Sequence, residues 1–133
     1  MGDAGIPPCI ALRFLMEIYK TFSVEAAHWL PNVPEGHKCR RMHGHGYRVV
    51  VHVTGSPDPH TGWVIDFADI KRAVDPVIDS LDHRTLNDIP GLENSTCENL
   101  TRWLWARIKP ALPGLSRIVV WETAHAGCEY RGD

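Results

Sequence analysis

Between Glu17 and His28 the chain alternates, with Ile18, Phe22, Val24 and Ala26 on one side and Tyr19, Thr21, Ser23 and Glu25 on the other. Side chains two apart on an extended chain point the same way, so this pattern commits the segment to a strand with one buried face. Only Lys20 breaks it. After a loop marked by Pro31, Pro34 and Gly36, the β-branched and aromatic run Tyr47 to Thr54 reads as a second strand. Gly55-Ser56-Pro57-Asp58-Pro59 is a turn, and Trp63 to Ile65 re-extends the chain. The period then changes. Phe67, Ile70, Val74, Val77, Ile78 and Leu81 recur every three or four residues, as one face of a helix does, with Asp66 placed to cap it and Pro76 placed to bend or split it. A second helix starts at Ser95, where Glu98 completes a capping box. It carries Leu100, Trp103, Leu104 and Ile108 on its apolar face and ends at Pro110. Ser116 to Thr123 and Gly127 to Tyr130 read as two more strands. The order ββααββ predicts an α+β domain, an antiparallel sheet with two helices on one face. Val50, Val119 and Trp121 fall on the other face, so a partner subunit is expected to cover it.

A chain of 133 residues suffices for one core, which we place over residues 16–133. Residues 1–15 carry Asp3, Pro7 and Pro8 where a signal peptide would have a basic start and an unbroken apolar stretch, and they read as a flexible extension. Lys and Arg total 14 against 16 Asp and Glu, a net charge of −2, which does not point to nucleic acid or an anionic membrane as partner. No run reaches the ~18 apolar residues of a membrane helix. Cys9, Cys39, Cys97 and Cys128 form neither a C-x-x-C pair nor a dense framework, which fits reduced thiols in a cytoplasmic protein. The glycosylation-type triplets at Asn94 and Asn99 and the terminal Arg131-Gly132-Asp133 are read as chance.

The chemistry-bearing residues cluster around histidine. His43 and His45 flank Gly44 just before the second strand, and i and i+2 of an extended segment share a side. His28 ends the first strand, which is free to pair with the second. Three imidazoles converging from two strands make a zinc site with an open fourth position. The competing reading is unconnected surface or core histidines. Three roles compete for Cys39: a fourth ligand that closes the site, a buried thiol without chemistry, or a thiolate favoured by Lys38, Arg40, Arg41 and a nearby metal. The same cations suit a phosphate-bearing substrate, or simply a solvated loop. Asp82 beside His83 is a common way to orient an imidazole for acid–base work. Glu122 closes the apolar run Ile118 to Trp121, either as an edge charge or as a double acceptor for a guanidine-like heterocycle edge.

Together these residues resemble the 6-pyruvoyl-tetrahydropterin synthase family from about Lys20 to Gly132. The resemblance is carried by Phe22-Ser23-Val24-Glu25-Ala26-Ala27-His28, Cys39-x-x-x-His43-Gly44-His45, Gly62-Trp63-Val64-Ile65-Asp66-Phe67, Leu81-Asp82-His83-x-x-Leu86-Asn87, Ser95-Thr96-Cys97-Glu98-Asn99-Leu100 and Trp121-Glu122-Thr123. It implies a tunnelling fold whose subunits assemble around a barrel, usually as hexamers, with active sites at subunit interfaces. By position it implies zinc on His28, His43 and His45, a catalytic thiol at Cys39 and a relay at Asp82 and His83. It also implies a pterin anchor at Glu122 with further contacts at Thr96 and Cys97, while the charge of Lys38 and Arg40 is what makes them candidate substrate contacts. Pro34-Glu35-Gly36-His37-Lys38-Cys39 is similar to the branch that cleaves the substrate side chain. That branch turns 7,8-dihydroneopterin triphosphate into 6-carboxytetrahydropterin for queuosine, with loss of acetaldehyde and triphosphate. Triphosphate elimination without cleavage, giving the pyruvoyl product, and a non-catalytic zinc-stabilised binding module are the alternatives. The basic run Arg40-Arg41 departs from relatives, which often carry a small residue there.

Overall fold

The computed structural model describes residues 15–133. The expected extension over 1–15 therefore lies, apart from Leu15, outside the described residues. Strands β1 (Met16–His28) and β2 (His43–Gly55) pair along their whole length. Helix α1 (Phe67–Asp79), the two-residue strand β3 (Arg84–Thr85), helix α2 (Cys97–Ile108) and strands β4 (Leu115–Trp121) and β5 (Gly127–Tyr130) follow. The sheet order is β3-β1-β2-β4-β5, antiparallel except where β3 runs parallel to β1.

Register decides which side chains share a face. Val24 stands opposite Tyr47, Ala26 opposite His45 and His28 opposite His43. That face is the core: Phe22, Val24, Val49, Val51, Ile118 and Val120 pack with Ile70, Val74 and Ile78 of α1 and Leu100, Leu104 and Ile108 of α2. Both helices thus cover one face, as expected, and the three histidines lie on it at the end of the β1–β2 ladder. Their pairing carries β2 back to His43, four residues before the expected start.

Other differences are local. Trp63 to Ile65 is not a strand. The Asp58 carboxylate takes the His60 and Thr61 N–H groups at 2.7 and 3.0 Å, and Gly62 adopts φ 81°, so the segment closes on itself as a turn. Phe67 is 52% exposed rather than part of the helix face. α1 runs unbroken through Pro76. Pro76 and Arg72, whose carbonyl loses its donor there, are both exposed, so water can take that place. Asp66 caps α1, accepting from the Ala68 N–H at 2.9 Å. The cap of α2 is Thr96, whose Oγ1 accepts from the Asn99 N–H at 3.1 Å, and not Ser95, which is buried. Among the described residues no helix is long and apolar enough to cross a membrane.

Candidate metal centre and its cavity

The ligand nitrogens of His28, His43 and His45 all lie within 4.8 Å of one another, and among the described residues they form the one such group. The ring centroids are 4.6 to 5.2 Å apart. β-Pairing brings His28 beside His43, and alternation along β2 brings His45 to the same side. Backbone carbonyls then aim the rings. His28 Nδ1 lies 2.9 Å from the Ser95 carbonyl and His43 Nδ1 lies 2.7 Å from the Arg41 carbonyl. A carbonyl only accepts, so each Nδ1 carries the proton and each Nε2 keeps a lone pair. Burial holds His28 below the ordinary imidazole range, against the Ser95 bond that raises it. Burial lowers His45 in the same way, against the Glu122 carboxylate. Both rings therefore favour the neutral form a metal ion needs.

His45 Nε2 is buried and has no hydrogen-bond partner. Glu122 Oε1 lies 3.2 Å from it, close enough for ion pairing but out of hydrogen-bonding geometry. A divalent cation among the three rings would satisfy that orphaned nitrogen, and the donor set fits zinc with a fourth position left for an outside ligand.

Cys39 lies on a tight turn over Lys38–Arg40. The His37 ring accepts its N–H at 3.0 Å, and its carbonyl accepts from the Leu30 N–H at 2.8 Å. The thiol does not join the ligand group. It lines a cavity of about 600 Å³ together with Lys38, Arg41, His43, His45 and Glu122. Of the basic run, Arg40 instead reaches the Val33 carbonyl at 3.2 Å. Glu122 sits one residue past β4, its N–H bonded to the Ala126 carbonyl at 2.9 Å. Thr96 and Cys97 open α2 nearby, and the Cys97 thiol donates to the Val120 carbonyl at 3.6 Å.

Asp82 and His83 do not line the cavity of Cys39. Asp82 Oδ1 accepts the Glu25 N–H at 2.9 Å, and Oδ2 lies 2.9 Å from His83 Nδ1. The Glu25 N–H bond, with the His83 bond second, holds the Asp82 carboxyl below its ordinary range. His83 takes φ 59°, a left-handed conformation that a non-glycine residue holds only under constraint; here its N–H bonds the Glu25 carbonyl at 2.6 Å. Its side chain borders a second cavity, of about 450 Å³, which shares Gly44 and His45 with the first.

Three supporting residues have no role at the site that the sequence assigns. Ser95 orients His28. Tyr47 Oη lies 3.4 Å from His28 Nε2. Asn87 clasps Trp29 by two bonds of 3.0 and 2.7 Å, fixing the chain just after His28. Asn87 and Trp29 are 58 positions apart, and no spacing rule links them.

The family described as 6-pyruvoyl tetrahydropterin synthase matches residues 17–133. A 6-carboxy-5,6,7,8-tetrahydropterin synthase of Synechocystis is 45% identical over 122 residues, 85% of this chain and 91% of that one. A dihydroneopterin monophosphate aldolase of Pyrococcus furiosus is 41% identical over 91 residues, 66% of this chain and 76% of that one. Among solved structures, the 6-pyruvoyl tetrahydropterin synthase of Caenorhabditis elegans superposes with a TM-score of 0.83 at 27% identity, covering 90% of this chain and 96% of that one. The subunit architecture expected from the resemblance is thereby borne out.

Proposed function

Because the chain belongs to the 6-pyruvoyl tetrahydropterin synthase family, we propose that it is a zinc-dependent lyase. It converts 7,8-dihydroneopterin triphosphate to 6-carboxy-5,6,7,8-tetrahydropterin in the cytoplasm, releasing acetaldehyde and triphosphate on the way to queuosine. The observation that carries this reading is the cavity that Cys39 and Glu122 line together with His43 and His45, two of the three converging imidazoles.

His28, His43 and His45 would hold the zinc, which would supply a Lewis acid for the side-chain oxygens of the substrate. Cys39 takes a proton from the side chain, a step that removes the need for a strong base in solution. Glu122 presents two acceptor oxygens to the paired donors on the pterin edge, fixing which carbon meets Cys39. Thr96 and Cys97 flank that edge. Lys38 and Arg41 line the same cavity and offset the charge of the triphosphate. Asp82 orients His83 to receive and return protons. Because His83 borders the other cavity, we assign the pair to a site completed between subunits, in keeping with a hexameric barrel.

The experiment is incubation of the zinc-loaded protein with 7,8-dihydroneopterin triphosphate and mass analysis of the product. A carboxy-pterin together with acetaldehyde is expected. A product that keeps its full side chain and has lost triphosphate assigns the pyruvoyl-forming reaction instead, and unchanged substrate leaves only a binding role.

A further inference from the structure

Cys97 opens α2 and Cys128 lies on β5, 31 residues away, yet the Cys128 thiol reaches the Cys97 residue itself. Cys128 is the register partner of Val120 across the β4–β5 ladder, and the Cys97 thiol donates to that same Val120 carbonyl. The Cys128 thiol donates in turn to the Cys97 carbonyl at 3.3 Å and lies 2.8 Å from Thr101 Oγ1. Burial, with the neighbouring Cys128 thiol second, pushes Cys97 up to about 12. Their environments differ. Cys128 borders a cavity of about 210 Å³ between α2 and β5, wide enough to admit a small oxidant, whereas Cys97 is turned inward.

We propose that Cys97 and Cys128 are an oxidisable pair that hydrogen peroxide converts into an intrachain disulfide, tying the first turn of α2 to β5. The Cys128 sulfur attacks one peroxide oxygen. The O–O bond breaks, and a sulfenic acid and one water result. The Cys97 sulfur then attacks the Cys128 sulfur, and the displaced hydroxyl leaves with the Cys97 proton as a second water. Two thiols lose two electrons in all, and one peroxide gains them. The bridge adjoins the Thr96 cap and the Ser95 carbonyl that aims His28, so it fixes the turn on which that ligand leans. The pairing rests on the thiol geometry alone and stands apart from the reaction proposed above.

The test treats the zinc-loaded, full-length protein with hydrogen peroxide, alkylates the remaining thiols and maps the digest. The expected result is an intact mass lower by two hydrogens, a linked peptide pair carrying Cys97 and Cys128, and reversal by dithiothreitol. In Cys97→Ser the link is lost and Cys128 proceeds to the sulfinic acid; in Cys128→Ser, Cys97 stays reduced. Wild-type protein in which Cys128 over-oxidises without a link, pairs with Cys9 or Cys39, or stays reduced overturns the proposal.

Discussion

Glu122 meets His45 Nε2 at 3.2 Å without a proper hydrogen bond, so its carboxylate is free to accept from something else. If Glu122 anchors the pterin as proposed, Glu122→Gln keeps the shape and turns one acceptor into a donor that faces the pterin's own N–H. A mismatch of that kind costs ~1–3 kcal/mol, so pterin affinity should fall at least about tenfold, at ~1.4 kcal/mol per decade. Titration of the zinc-loaded variant with a reduced pterin reads this, and unchanged affinity places the anchor elsewhere. Cys39→Ala should keep its zinc, because the thiol stands outside the ligand group, and lose about 10² to 10⁴-fold in turnover. Loss of metal in that variant makes Cys39 a ligand. At this scale the sequence is legible where one residue type at one spacing serves one chemistry. His43 and His45 flanking Gly44 need only a strand to point together, and His28 needs only the pairing of two strands already visible as patterns. The residues that steady them were not legible. Ser95 has the profile of a helix cap and is instead turned to His28, because Thr96 one position later satisfies the helix. Arg40 and Arg41 are indistinguishable in composition, and only the loop's path sends one to Val33 and the other to the cavity.

β1 and both helices follow their apolar spacing, but β3 has two residues and no period to detect. It exists because Asp82 and His83 are clipped to Glu25 and lay the next residues along β1. The Thr96 cap is testable directly. Thr96→Ala should lower unfolding stability by ~1 kcal/mol, measured by denaturant titration, and no loss would mean that the α2 terminus is held by tertiary contacts alone. A second test lies on the uncovered face of the sheet. There the buried His52 of β2 meets Glu17 and Tyr19 of β1, Arg117 of β4 and the Glu129 field from β5. Burial, with Arg117 second, holds His52 below its ordinary 6.5, despite the opposing Glu17 carboxylate. The unfolded chain therefore takes up this proton first as the pH drops. The stability from neutral His52 is complete above about 6.5 and declines below it until the folded-state ring titrates as well. Thermal melts from neutral to mildly acid pH should fall more steeply for wild type than for His52→Gln, and parallel curves would remove His52 from the acid response.

A single subunit leaves edges that an assembly would use. β3 covers β1 only at Ala26 and Ala27, and β5 lies at the far end of the sheet. Unpaired strand edges of that length are templates for pairing with another chain. Val50, Val119 and Trp121 also lie on the face the helices leave bare. The sequence carried the hint of a covered second face but not the separation of His83 from Cys39, since only the folded chain shows that these two border different cavities. If subunits share the site, inactive Cys39→Ala and inactive His83→Ala proteins, unfolded and refolded together, should regain part of wild-type turnover. No recovery from a verified mixed assembly would place the whole site within one subunit. The central claim, a zinc ion held by three histidines in each subunit of a closed assembly, is tested most directly by native mass spectrometry of the purified protein beside its His28→Ala, His43→Ala and His45→Ala variants. A hexamer with one zinc per subunit is expected in the wild type, with loss of that zinc in each variant. Full zinc occupancy in any one of the three variants, or a wild-type protein that binds no zinc, would contradict it.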